Sequence, residues 1–255
     1  MIHPTAIVSE DAELGEGVEV GPFAVVESGA RIGAGTRIGP HAVIHESVRM
    51  GERNIVRAGA VLGGDPQSVG FDREGTFVRI GEGNMVGEYV TIHRATAPGG
   101  ATMIGDGCYL MSYSHIGHDC FLGDGVVLTN YAGLAGHVEL HDRVLLGAYA
   151  GVHQFCRVGT LAMLSAGSRL GKDVAPYIIV QGYPAVPVAT NVVGMRRAGI
   201  PSERRDAVKK LFKIFFRRGL TTERAIEAAR KDVPPCEEKD RFLEFLSGTE
   251  RGLCK

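Results

Sequence analysis

The chain has 255 residues, a formal net charge of -1 and 22% charged residues, so no global field marks nucleic acid or an anionic membrane surface as its partner. Five cysteines form no CxxC pair, no apolar stretch follows a basic N-terminus, and no segment is apolar enough to span a bilayer, so a cytoplasmic chain without disulfide framework or transmembrane segment is expected. Glycine is high at 36, tryptophan is absent and 7% of residues are aromatic, a composition that points to repetition rather than to a bundle or a sandwich core.

The repeat has period six. From Val8 to Leu170, 25 of 28 sixth positions hold Val, Leu, Ile or Met, with a mostly small or β-branched residue two places earlier (Ala6, Ala12, Val18, Ala24). Period-two alternation turns both of these residues inward. Gly follows the aliphatic in 14 of the 25 cases and is expected at a corner that needs φ > 0. The pattern resembles the known hexapeptide class. That resemblance implies 18-residue triangular coils and an all-β left-handed parallel β-helix, a handedness opposite to the general crossover rule.

The frame breaks over residues 64–77 (GDPQSVGFDREGTF) and 94–102 (RATAPGGAT), which read as loop excursions from the solenoid surface. It ends after Val174, and Pro176, Pro184 and Pro187 mark a boundary. The expected division is a β-helix domain over 1–183 and a small C-terminal helical domain over 184–255. Helical spacing is clear in SERRDAVKKLFKIFFRR, with TTERAIEAARKD and EKDRFLEFL following.

Residues 18 apart should stack on neighbouring coils, which makes Ile116, Leu134 and Val152 vertical neighbours. His115, His118, His137 and His153 all fall near that column, at the corner where both excursions leave. His41 and His45 lack such company and read as surface or structural residues. A zinc site of the gamma-class carbonic anhydrase kind would need three converging histidines; His118 and His153 are 35 apart, but no HxxxxH exists and Val158 stands five past His153, so no metal is expected. Acid/base work suits the cluster better, because an imidazole can take the proton of a weak nucleophile in acyl transfer. A thioester donor needs no enzyme nucleophile, so no cofactor is expected, and Cys108, Cys120 and Cys156 in inward slots read as core filler.

The stretches VTIHRAT (90–96), SHIGHDC (114–120), LAGHV (134–138), GVHQFCRVG (151–159), QGYPA (181–185) and TERGL (249–253) resemble, in this order, the UDP-N-acetylglucosamine acyltransferases that begin lipid A synthesis. The resemblance implies transfer of a 3-hydroxyacyl chain from acyl carrier protein to the sugar 3-hydroxyl of a UDP-sugar, by a homotrimer. It implies His118 as general base, Asp119 as its partner and the Gly136 N–H as oxyanion donor. Gln67, His115, His137, His153 and Gln154 would position the substrates, and Asn191 and Arg197 the nucleotide. Between Arg196 and Arg218 nine basic residues face two acids. That strip, with Arg204, Arg205, Lys209, Lys210, Lys213, Arg217 and Arg218, suits an acidic carrier protein.

Two departures matter. After GGDPQ the family usually places an acid and, two residues later, a lysine, where this chain has Ser68 and Gly70, so a 3-amino or other nucleotide sugar is the alternative acceptor. Ala166 stands where some members have Gly, which predicts a shorter acyl chain at about 0.8 kcal/mol per methylene.

Overall fold

The computed structural model describes residues 1–69, 71 and 75–255. Among the described residues most strands are two residues long, and through Leu170 every third strand joins the same sheet, giving, with two further strands at the end of one of them, three sheets of nine, eight and ten strands. Neighbours pair parallel and in register, Val25 with Val43 and His115 with Gly133, so each coil repeats the previous one 18 residues on. The architecture is therefore a parallel β-helix. Its core is a stack of aliphatic columns such as Ile44, Leu62, Ile92, Ile116 and Leu134, all fully buried.

A hairpin of Ile178–Gly182 and Ala185–Thr190 closes one sheet in antiparallel fashion. The β structure thus runs through Thr190, and helix α1 (Val192–Arg197) follows. Helices α2 (Ser202–Arg217), α3 (Thr222–Asp232) and α4 (Glu237–Ser247) complete the chain. The buried stripe of α2 is Ala207, Val208, Leu211, Ile214 and Phe215, and Phe215 packs on Phe242 of α4 with ring centroids 5.0 Å apart.

The corner chemistry corrects the sequence reading. Most glycines directly after the aliphatics, Gly15 and Gly87 among them, are not left-handed, Gly63 at the first excursion being an exception with φ of 86°; at Gly15 and Gly87 an added Cβ would lie 2.5 Å from Ala34 N and 2.7 Å from Ser112 N of the next coil. The left-handed position comes two residues later. Tyr113, Asp119, Tyr131 and His137 occupy it with φ of 59–61°, a conformation few non-glycine residues adopt.

Both excursions leave at one corner. Leu62 pairs with Ile92 and Ile92 with Ile116, separations of 30 and 24, so the ladder continues beneath them, with a register shift between Leu62 and Gly64 where the first excursion leaves. They are stitched together by Ala95 N to Phe77 O at 3.3 Å and Gly99 N to Gly75 O at 2.8 Å.

Candidate active site

The site grows from the corner after Ile116. His118 and Asp119 occupy successive turn positions, and the left-handed backbone at Asp119 lets its carboxylate return to its neighbour. Asp119 Oδ2 lies 2.8 Å from His118 Nδ1. The same carboxylate accepts the Thr96 amide at 3.2 Å and the Thr96 hydroxyl at 2.8 Å, while the Asp119 amide donates to Thr102 Oγ1 at 2.8 Å. Burial pulls the Asp119 carboxyl up, but the bonds from His118 and Thr96 outweigh it and hold the group below its ordinary value. With Nδ1 committed to a carboxylate, the lone pair of His118 is presented on Nε2.

One coil on, His137 stacks against Phe155 at 4.6 Å, meets His118 edge-on at 5.2 Å, and places Nε2 3.6 Å from Asp119 Oδ2. Gly136 sits directly over the His118 ring, where an added Cβ would lie 2.6 Å from Nε2. The Gly136 amide donates to no group among the described residues. At another corner the matching amides are capped by the next coil's carboxylate, Asp106 N by Asp124 and Asp124 N by Asp142. The buried Gly136 N–H is therefore left without a protein acceptor among the described residues.

His115 lies on the preceding strand, its Nδ1 2.8 Å from Thr91 Oγ1. Burial, then repulsion from His93 and His118, pushes it down to about 4. His93 meets it edge-on at 5.0 Å and is itself lowered by burial, then by His118. Both rings are neutral near pH 7. His93 carries no role in the sequence reading, yet counting the strand register across the second excursion aligns Thr91 with His115 and so brings His93 beside the cluster.

The other expected site residues vary. His153 and Gln154 are exposed, and no hydrogen bond, ion pair or ring contact joins His153 to the other histidines among the described residues. Gln67 and Arg197 are exposed, as is Ala166 at the corner after Leu164. Asn191 is buried, and its amide is occupied in capping α1, accepting Gly194 N at 2.8 Å and donating to Leu161 O at 2.8 Å. Of the first-loop departures Ser68 is exposed, and Gly70 lies outside the described residues.

The basic strip is partly spent inside the fold. Arg204 forks onto the buried Glu238 at 2.7 and 2.6 Å, Arg205 donates to Ile200 O, Arg217 to Pro187 O and Arg218 to Asp232. Lys209 pairs with exposed Asp206, and Lys210 and Lys213 are exposed with no hydrogen bond or ion pair among the described residues.

A histidine–aspartate dyad beneath an unpartnered amide is a constellation for acyl transfer, and comparison with known proteins gives it a family. An acyl-[acyl-carrier-protein]–UDP-N-acetylglucosamine O-acyltransferase of Halorhodospira halophila is 46% identical over 255 residues, all of this chain and 99% of that one. The chain belongs to the UDP-N-acetylglucosamine O-acyltransferase family. The relative from Myxococcus xanthus is likewise 46% identical over 255 residues, again all of this chain and 99% of that one. Two family profiles match parts of this acyltransferase: UDP N-acetylglucosamine O-acyltransferase domain 2 over 173–254, and the bacterial transferase hexapeptide (six repeats) over 29–64. The solved UDP-N-acetylglucosamine O-acyltransferase of Moraxella catarrhalis superposes with a TM-score of 0.95 at 35% identity, covering 100% of this chain and 99% of that one. The Francisella novicida enzyme gives 0.94 at 34%, covering 100% and 94%.

Proposed function

We propose that this acyltransferase moves a 3-hydroxyacyl chain from acyl carrier protein to the 3-hydroxyl of UDP-N-acetylglucosamine, the first step of lipid A biosynthesis, within a left-handed β-helix that assembles as a homotrimer. The observation that carries the mechanism is the dyad beneath Gly136. The acceptor hydroxyl loses its proton to His118 Nε2 as its oxygen attacks the thioester carbonyl. Asp119 orients the ring and stabilises the imidazolium that forms. The tetrahedral oxyanion accepts a hydrogen bond from Gly136 N–H. On collapse the C–S bond breaks, and His118 returns the proton to the carrier's leaving thiolate, which restores the enzyme.

No enzyme thioester is needed, and the thiols are poorly suited to one. Burial pushes Cys108 and Cys156 up to about 11 and Cys120 to about 12. The neutral rings of His93 and His115 suit hydroxyl and carbonyl groups of a sugar rather than its phosphates. Lys209, Lys210 and Lys213 suit the acidic carrier. Self-association is supported by the outer face of one sheet, where Ile55, Met85, Tyr109, Val127, Leu145 and Met163 point outward, and by the exposed Tyr89, Tyr113, Tyr131 and Tyr149 stack beside it, with centroids 4.9–5.1 Å apart. Among the described residues no helix is long and apolar enough to cross a membrane.

The test is a choice of acceptors. Given 3-hydroxyacyl carrier protein and equal UDP-N-acetylglucosamine and its 3-amino analogue, the enzyme is expected to make the base-labile ester. A base-stable amide as the main product would overturn the assignment and point back to Ser68 in the first excursion.

A further inference from the structure

Arg94 is buried, at 4% exposed, yet it carries a full charge on the short link between the site and the first excursion. Its Nη2 donates to Asp65 Oδ1 at 2.7 Å and its Nη1 to Glu46 Oε1 at 3.3 Å. Its guanidinium lies 5.1 Å from the Phe71 ring centroid, and its backbone amide donates to Gly64 O at 3.0 Å. One residue thus touches the first excursion at its root (Gly64), just past the root (Asp65) and in its middle (Phe71). The next residue, fully buried Ala95, takes hold of the far end through Phe77 O. The residue after that, Thr96, holds the Asp119 carboxylate by amide and hydroxyl. Arg94 Nε finds no acceptor among the described residues, a cost the fold bears to keep the guanidinium in place.

We propose that Arg94 is a positioning residue that clamps the first excursion as the acceptor-facing wall, and that residues 94–96 form a strut fixing that wall relative to the His118–Asp119 dyad. Arg94 touches no reacting atom. It acts through Asp65 and Phe71 on the segment that carries Gln67. The planar fork matters, because two acids and an aromatic face are engaged at once, which an ammonium cannot reproduce. Removing the cation is better tolerated than removing an acid. The Asp65 and Glu46 side chains are 42% and 62% exposed and can be rehydrated, whereas an unpaired buried guanidinium cannot.

The inference rests on the proposed acyl transfer to a UDP-sugar, with the first excursion facing the acceptor. Its test is the steady-state kinetics of full-length Arg94→Met and Arg94→Lys, together with hydrogen exchange over residues 64–77. For Arg94→Met, KM for UDP-N-acetylglucosamine is expected to rise about tenfold or more, with kcat and the KM for acyl carrier protein within about threefold of wild type. Exchange over 64–77 should quicken, and Arg94→Lys should recover part of both. Asp65→Asn, which leaves Arg94 an amide oxygen at that place and the Glu46 carboxylate as acceptors and so does not strand the guanidinium, should raise the same KM if Arg94→Met fails to fold. An unchanged KM in the folded variant, or kcat and both KM values worsening together with a lowered melting temperature, would overturn the clamp. Wild-type protein that acylates no UDP-sugar would instead refute the underlying reading, and the exchange measurement would still decide whether Arg94 holds the excursion.

Discussion

Gly136→Ala separates the placement of the base from every other part of the mechanism. Gly136 is not left-handed, so alanine brings no backbone strain there, and the amide proposed to bind the oxyanion is retained. The new methyl would sit 2.6 Å from His118 Nε2 and 2.9 Å from Nδ1, closer still to Cε1, where ordinary contact needs about 3.5 Å. The ring must therefore move roughly 1 Å, which stretches its 2.8 Å bond to Asp119 past hydrogen-bonding range. A misplacement of that size costs on the order of 10²-fold in rate, or about 2.7 kcal/mol. The assay is kcat with both substrates saturating, beside thermal unfolding to show that the solenoid is intact. A kcat within threefold of wild type in a folded protein would refute the reasoning, since a ring free to leave Asp119 without consequence is not the base.

Replacing His118 by Ala should lower kcat about 10²- to 10⁴-fold with little change in either KM, measured by product formation at saturation. Lys210→Glu with Lys213→Glu should raise KM for acyl carrier protein and weaken the salt dependence of kcat/KM, without lowering the melting temperature. Arg204→Glu should destabilise instead, because it strands the buried Glu238 carboxylate that Arg204 satisfies. His115 goes from an ordinary 6.5 to about 4 on folding, so in that window the unfolded chain binds more protons; stability is whole above pH 6.5 and falls as pH drops towards 4. His115→Gln should flatten that slope in chemical denaturation across the same range. Light scattering should give three times the chain mass, and a monomer at micromolar concentration would contradict the assembly.

The solenoid was legible because its signal is redundant: each coil repeats the inward aliphatic and small residue, and one miss costs nothing. The corner that holds His118 and His137 followed from counting by 18, a property of backbone register. What counting by 18 misses is anything beyond an excursion, which is why His93 passed without a role although the pairing of Thr91 with His115 sets it beside the cluster. The role of glycine is hidden in the sequence for a related reason. Frequency shows that Gly follows the aliphatic, but only the packing of one coil on the next shows that the constraint is Cβ space, while the left-handed turn falls to residues such as Asp119 and His137. The basic strip also looked uniform in sequence, because no local pattern distinguishes Arg204, forked onto Glu238 from 34 residues away, from solvent-facing Lys213.

The most direct test of the account is to mix the protein with 3-hydroxyacyl carrier protein and UDP-N-acetylglucosamine and to follow the nucleotide sugar by mass spectrometry, beside His118→Ala. Acylated UDP-N-acetylglucosamine that forms with wild type and vanishes with the variant is the predicted result. Product that persists undiminished with His118→Ala, or none from wild type with an active donor, would contradict it.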